Sequence, residues 1–131
     1  MEGNKITVLI AVPGEIIRSA DIRNSLAEFQ DIIGGYPECV YPFEDDVGII
    51  RNEDAESRGL MPNRALKDDA GNMYDMIYGS FLIVGLNDDD FGSLDDELLA
   101  KYQEQFMYPE TLVQERGHMV PVPYAPDVHT L

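Results

Sequence analysis

The segment from Leu86 to Glu97 reads Leu-Asn-Asp-Asp-Asp-Phe-Gly-Ser-Leu-Asp-Asp-Glu and contains six carboxylates in twelve residues. Such a segment can bind a cation, supply a catalytic acid or form a charged surface. An EF-hand calcium loop needs oxygen ligands at positions 1, 3 and 5, glycine at position 6 and an acid at position 12. With Gly92 at position 6, position 5 is Phe91 and position 12 is Leu98, so two required ligands are missing. A solvated acidic turn is the favoured interpretation.

Other metal-binding and catalytic patterns are also missing from the sequence. Zinc sites need cysteine and histidine ligands at characteristic spacings, and the chain has only Cys39, His118 and His129, which lack such spacing. No nucleophile elbow and no Gly-x-x-x-x-Gly-Lys-Ser/Thr phosphate loop occurs. The sequence therefore predicts a non-enzymatic protein with no catalytic residue, no metal and no cofactor.

Asn63 and Arg64 lie side by side in the otherwise apolar segment Leu60–Leu66. Arginine is rarely buried unless it is paired, and this chain offers many carboxylates as partners. The favoured interpretation is that Arg64 connects its loop to the sheet through a carboxylate. The alternative is that Asn63 and Arg64, with nearby tyrosines, bind a small molecule or a nucleotide.

Composition limits the classes of partner. The chain has 131 residues, which suits one domain, and 25 acidic against 9 basic residues give a formal charge of −16. A surface of that sign repels nucleic acid and anionic membrane, so we expect neither direct nucleic-acid binding nor membrane binding, and we expect basic protein surfaces as partners. The hydrophobic fraction of 44% predicts a folded core. Whether the chain forms a homodimer is left open.

The first half of the chain predicts two hairpins and a helix. A helix begins at the capping box of Ser25 and ends at Gly34-Gly35. The predicted strands are Ile6–Val12 and Glu15–Ser19 around Pro13-Gly14, followed by Cys39–Phe43 and Val47–Arg51 around Glu44–Asp46.

The second half is less regular. Residues 54–72 predict mostly loop, with a short turn of helix or strand at Arg64–Leu66. Strands follow at Met73–Ile77 and Ser80–Leu86, and the continuous apolar run of the second predicts a central strand. A second helix is predicted from a cap at Ser93 to Phe106, followed by an extended, proline-punctuated tail at 108–131.

This order of elements predicts a single α+β domain over residues 1–107, followed by the tail at 108–131. The predicted architecture is a mixed β-sheet with one helix packed across it and a C-terminal helix. A β-grasp-like arrangement is preferred, and a ferredoxin-like split sandwich is the alternative.

Several motifs together resemble a known family. These are Val12-Pro13-Gly14, the helix end Ile32–Tyr36, the loop Pro62–Leu66, the segment Tyr78–Gly85 and Asp90–Leu94. They resemble a family of small uncharacterised proteins from bacterial phages, plasmids and integrated elements, catalogued as a domain of unknown function, over roughly residues 5–107. The resemblance implies a mobile genetic element and no mechanism. With the single cysteine, which suits a reducing compartment, it predicts the cytoplasm of a bacterial host.

Small acidic proteins of phages and plasmids often block host defence by occupying basic nucleic-acid-binding surfaces. The leading hypothesis is therefore an acidic interaction protein that acts by charge mimicry. Surface charge that only confers solubility is the plainer alternative. The predicted partner-binding residues lie mainly at connections between elements and are Glu44, Asp45, Asp46, Glu53, Asp54, Glu56, Asp88, Asp89 and Asp90, with the runs Asp68–Asp69 and Asp95–Glu97 adding to the same surface.

Overall fold

The computed structural model describes residues 4–126, which form ten strands and two helices. The elements in chain order are β1 (Lys5–Ala11), β2 (Arg18–Arg23), α1 (Leu26–Ile33), β3 (Pro37–Val40), β4 (Val47–Asn52), β5 (Pro62–Lys67), β6 (Met73–Tyr78), β7 (Phe81–Leu86), β8 (Phe91–Gly92), α2 (Asp96–Gln105), β9 (Glu110–Glu115) and β10 (His118–Pro123).

The main sheet has the order β2-β1-β7-β4-β3, and β8 pairs with β7. The strand β7 lies in the middle, which confirms the central strand predicted from its continuous apolar run. Its side chains alternate between two buried faces, with Phe81 and Ile83 in one core cluster and Leu82 and Val84 in the other. A strand that is buried on both faces needs apolar residues at every position.

Each face of the sheet has its own cover. Phe29 and Ile33 of α1 pack on the face that carries Leu82 and Val84. Tyr102 of α2 and Leu66 of β5 pack on the opposite face. The class is therefore α+β, as predicted, in a single small domain.

Local signals explain α1 well. The Ser25 hydroxyl accepts a hydrogen bond from the Glu28 N–H at 3.2 Å, and Gly34 ends the helix at φ 78°. This left-handed conformation carries no steric cost for glycine. The predicted serine cap and glycine stop are confirmed, whereas the Ser25 N–H donates to the Arg23 carbonyl and not to Glu28 as a full capping box requires.

The predicted start of the second helix is wrong by two residues. Asp95 is the N-cap of α2, and its carboxylate accepts from the Leu98 N–H at 2.8 Å. The Ser93 hydroxyl instead accepts from the Thr7 N–H of β1 at 2.9 Å. Both residue types are good caps, so sequence could not distinguish a serine used by a neighbouring strand from one used by the helix.

Three further predictions of secondary structure need correction. Every strand pair in the described part of the chain is antiparallel, so the sheet is not mixed. The second strand begins at Arg18 and not at Glu15. Residues 62–67, predicted mainly as loop, form β5 and pair with β6 in a separate two-stranded sheet. The β-grasp-like and ferredoxin-like assignments stay predictions.

The tail predicted as a simple extended segment contains the hairpin β9–β10. Arg116 and Gly117 connect its strands with φ values of 51° and 82°, as a two-residue type I′ turn requires. Buried Glu110 ties the hairpin to β5, because its two oxygens accept from the Ala65 N–H and the Lys67 ammonium, each at 2.8 Å. The rest of the predicted tail, residues 127–131 with His129, lies outside the described residues.

Candidate functional site

Two of the predicted acidic connections emerge at the same end of the main sheet. Strands β4 and β7 are antiparallel with Val47 opposite Gly85, so the connection that precedes β4 lies beside the connection that follows β7. The Leu86 N–H donates to the Asp46 carbonyl at 2.9 Å and joins the two. The pairing of β4 with β7 thus brings residues 44–46 and 88–90 together.

A third acidic connection reaches the same region. Glu44 and Asp45 line a cleft of about 700 Å³ with Asp68 and Asp69, which lie between β5 and β6. We call this region of the surface the acidic end, and it comprises Glu44, Asp45, Asp46, Asp68, Asp69, Asp88, Asp89 and Asp90.

Lysines also line the cleft, and both take part in ion pairs. The Lys67 ammonium lies 2.8 Å from Glu110, and the Lys101 ammonium lies 2.6 Å from Asp45. The negative charge of Glu44, Asp68 and Asp69 at the cleft is therefore only partly offset.

Asp45 differs from its acidic neighbours because it holds α2 in place. One of its oxygens accepts from the Lys101 ammonium at 2.6 Å and from the Tyr102 hydroxyl at 2.7 Å. These hydrogen bonds lower the pKa of Asp45, and burial together with the Asp45 carboxylate raises the pKa of Tyr102. Asp45 thus has a structural role, whereas Glu44 and Asp46 are exposed.

The loop that carries Asp88–Asp90 is held by its own hydrogen bonds. The Asn87 N–H donates to the Asp90 carbonyl at 2.8 Å. The Asn87 side chain also packs against Gly92, where a Cβ would lie only 2.5 Å from its amide nitrogen, so this close contact requires glycine. The Asp90 carboxylate accepts from the Phe91 N–H at 2.7 Å and from the Asn24 amide at 3.2 Å. Asp88 and Asp89 are exposed at the tip of this fixed loop.

Glu53, Asp54 and Glu56 do not belong to the acidic end. They follow Asn52 at the other end of β4, and six strand residues span about 20 Å. Arg51, beside them, pairs with Glu38 and Asp75 at 3.0 Å each. The nine predicted partner-binding residues are thus divided between two ends of the molecule.

Asn63 and Arg64 are both fully buried, at 0% exposure. The Arg64 guanidinium donates to the carbonyls of Phe106, Val12, Glu15 and Met107 and to the Asn63 side chain, over 2.6–3.2 Å. The predicted carboxylate partner is therefore wrong, because Arg64 is held mainly by backbone carbonyls. Burial lowers the pKa of Arg64 to about 10, so it remains a cation at neutral pH. A ligand could reach this pair only by displacing the chain.

An apolar hollow of about 350 Å³, which the sequence does not predict, lies between α1 and β3. Leu26 lies in its lining with 59% of its surface exposed. The signal in the sequence is weak, because Leu26 is the first residue of α1 and the apolar stripe of a helix fades at its ends. No group of three or more His, Cys, Asp or Glu suited to a metal ion occurs within residues 4–126.

Neither helix of the described region is long and apolar enough to cross a membrane. No curated protein and no solved structure gives a significant match to the chain. Residues 6–107 match a family described only as a domain of unknown function, DUF3846, which confirms the resemblance to such a domain. Because this match runs from β1 to the end of α2 and covers most of the chain, the chain belongs to the DUF3846 family.

Proposed function

We propose that the protein is a non-enzymatic interaction protein whose acidic end binds a basic protein surface. In this proposal the chain comes from a phage or another mobile genetic element and acts in the bacterial cytoplasm. Its partner is a nucleic-acid-binding protein, such as one that serves host defence. The carboxylates at the acidic end take the position that nucleic-acid phosphates would occupy.

The observation that supports the proposal is the convergence of three acidic connections on one end of the molecule. Glu44, Asp68, Asp88 and Asp89 are exposed there, and the loop of Asp88 and Asp89 is fixed before any partner arrives. Fixed charges lose less conformational entropy on binding than charges on a mobile tail. Clustered carboxylates also steer a basic partner towards the site.

Buried Asn63 and Arg64 do not favour the ligand-binding alternative, because all the guanidinium nitrogens already donate to oxygens of the chain. The alternative that competes with the proposal is surface charge that only confers solubility. The two differ in whether the position of the charge matters.

A matched pair of variants tests that difference. The first replaces Glu44, Asp88 and Asp89 with Gln, Asn and Asn, and removes three exposed charges from the acidic end. The second replaces Glu53, Asp54 and Glu56 with Gln, Asn and Gln, and removes three exposed charges from the other end of β4. Each variant and the unmodified chain are immobilised and exposed to nuclease-treated bacterial lysate. The affinity of each retained protein is then measured at two ionic strengths.

We expect the first variant to lose affinity and to show a flatter salt dependence, and the second to bind as the unmodified chain does. The retained partner, once purified and loaded with nucleic acid, should also release that nucleic acid when the unmodified chain is added. Equal affinities and equal salt slopes for the two variants would overturn the proposal in favour of a charge that only confers solubility.

A further inference from the structure

The apolar hollow lies beside the acidic end and shares Asp90 with it. Its apolar lining comes from α1 and from the strands on that face, and its rim carries Asn24, Ser25 and Asp90. The apolar lining residues are Leu26, Phe29, Pro37, Cys39, Ile50 and Phe91.

The walls of the hollow belong to packed elements. Phe29 of α1 and Phe91 of β8 meet edge to face, with ring centroids 5.7 Å apart. Ile50 in its floor is buried in β4. The hollow therefore exists without a ligand, as most small binding sites do, and its volume lies near the lower end of the ~300–1,000 Å³ usual for them.

The neutral polar groups at the rim, Asn24 and Ser25, are already used within the chain. The Ser25 hydroxyl caps α1 by accepting from the Glu28 N–H. The Asn24 amide donates to the Phe91 carbonyl at 3.0 Å and to the Asp90 carboxylate at 3.2 Å. These residues therefore favour an apolar occupant over a polar one that would need their hydrogen bonds.

Charge beside the hollow determines which apolar occupant fits. Asp90 and Phe91 also line a second hollow of about 430 Å³, together with Asp88 and Asp89. An apolar group that enters the first hollow thus brings its flanking residues against these carboxylates. Cations are the groups that such a rim favours.

We propose that the apolar hollow receives a leucine-like side chain from a partner segment, while lysines or arginines on either side of that residue lie against Asp88, Asp89 and Asp90. The inference rests on the proposed function, which supplies the basic partner, and adds the sequence pattern that the partner presents. The apolar contact supplies affinity that does not depend on salt, and the ionic contacts supply the orientation.

Three short peptides test the pattern against the protein as it exists. The first has a central leucine flanked by lysines, the second has glutamine in place of the leucine, and the third has the leucine but glutamines in place of the lysines. Burial of one leucine side chain should make the first bind on the order of 10- to 100-fold more tightly than the second. The third should bind more weakly than the first and show no salt dependence.

Cys39 provides a specific block of the hollow, because it lies in the lining and is the one cysteine of the chain. Alkylation with N-ethylmaleimide places a bulky group there, under mildly alkaline conditions because burial raises the pKa of the thiol. It should abolish the advantage of the leucine peptide over the glutamine peptide. A Cys39→Ser variant treated in the same way should retain that advantage. Leu26→Gln, at an exposed position, should reduce the same advantage without alkylation.

The outcomes separate the two proposals. If the leucine and glutamine peptides bind equally well, and both weaken when Asp88 and Asp89 are replaced with Asn, the hollow is not used and the inference fails while the acidic surface stands. If the uncharged leucine peptide binds as tightly as the lysine-flanked one, the hollow takes an uncharged apolar ligand. That result would overturn both the inferred pattern and the role of the acidic end in binding this partner.

Discussion

Arg64 is the largest fully buried side chain in the described part of the protein, and it connects three parts of the fold. From β5 it donates to the carbonyls of Val12 and Glu15, between β1 and β2, and to those of Phe106 and Met107, just after α2. Replacement of Arg64 with Met preserves most of the volume and removes every donor. The change therefore tests the hydrogen bonds without creating a large cavity.

The carbonyls that lose their donor are not equally affected. The Val12 and Met107 carbonyls keep the Glu15 N–H and the Ile17 N–H as donors, and the Glu15 carbonyl belongs to an exposed residue that water can reach. The arginine is the donor that the structure records for two acceptors in buried residues, the Phe106 carbonyl and the Asn63 side-chain oxygen. A buried acceptor left unsatisfied costs ~1–3 kcal/mol. Removal of a buried charge recovers part of this cost. We therefore expect Arg64→Met to lower the free energy of unfolding by ~2–4 kcal/mol.

The assay is urea unfolding monitored by circular dichroism, with Arg58→Met as the control because Arg58 is exposed. The control should stay within ~0.5 kcal/mol of the unmodified chain. A loss for Arg64→Met that is no larger than the control's would refute the reasoning. A double-mutant cycle with Glu110→Gln should give a coupling of only about 0.5 kcal/mol, and a coupling near ~3 kcal/mol would restore the carboxylate bridge that the sequence suggests.

Two more predictions concern α2. Asp95→Ala should lower the free energy of unfolding by ~0.5–2 kcal/mol through loss of the N-cap, and Asp95→Ser should recover most of that loss in the same urea assay; a serine variant no better than the alanine variant would contradict the cap. Because burial and Asp45 raise the pKa of Tyr102, this tyrosine stabilises the fold fully below about pH 10, where it is protonated in both states, and that stability is lost as the pH rises from there towards its folded-state pKa. The alkaline loss of stability should therefore be smaller in Tyr102→Phe than in the unmodified chain, and equal pH slopes would count against the Tyr102–Asp45 contact.

Local patterns were sufficient where an element follows its own residue preferences. The helix α1 has a capping serine, an apolar stripe and a terminal glycine within one short segment, and each acts within a few residues. The strand β7 is apolar at every position because it is buried on both faces. The resemblance to a domain of unknown function was likewise available from short motifs, and the family match confirms it.

Local patterns failed where the partner lies far away in sequence. Pro62–Lys67 has little β preference of its own and becomes a strand because it pairs with β6 and accommodates two irregularities in register. Arginine is not among the residues that usually take φ > 0 in a type I′ turn, yet Arg116 does so in the turn of the β9–β10 hairpin. Ser93 is a good cap by type, but a strand more than eighty residues earlier uses its hydroxyl.

The acidic end, too, depends partly on local sequence and partly on contacts between residues far apart in sequence. The sequence alone determined how many carboxylates the chain has and that most of them lie in connections, because charge and turn preference are properties of individual residues. Only the tertiary structure decided that residues 44–46, 68–69 and 88–90 share one end while residues 53–56 lie at the other. It also decided that the Arg64 guanidinium meets carbonyls and that the apolar hollow opens beside Asp90. The physical reason is that antiparallel pairing and packing set distances between residues far apart in sequence, which no local preference encodes.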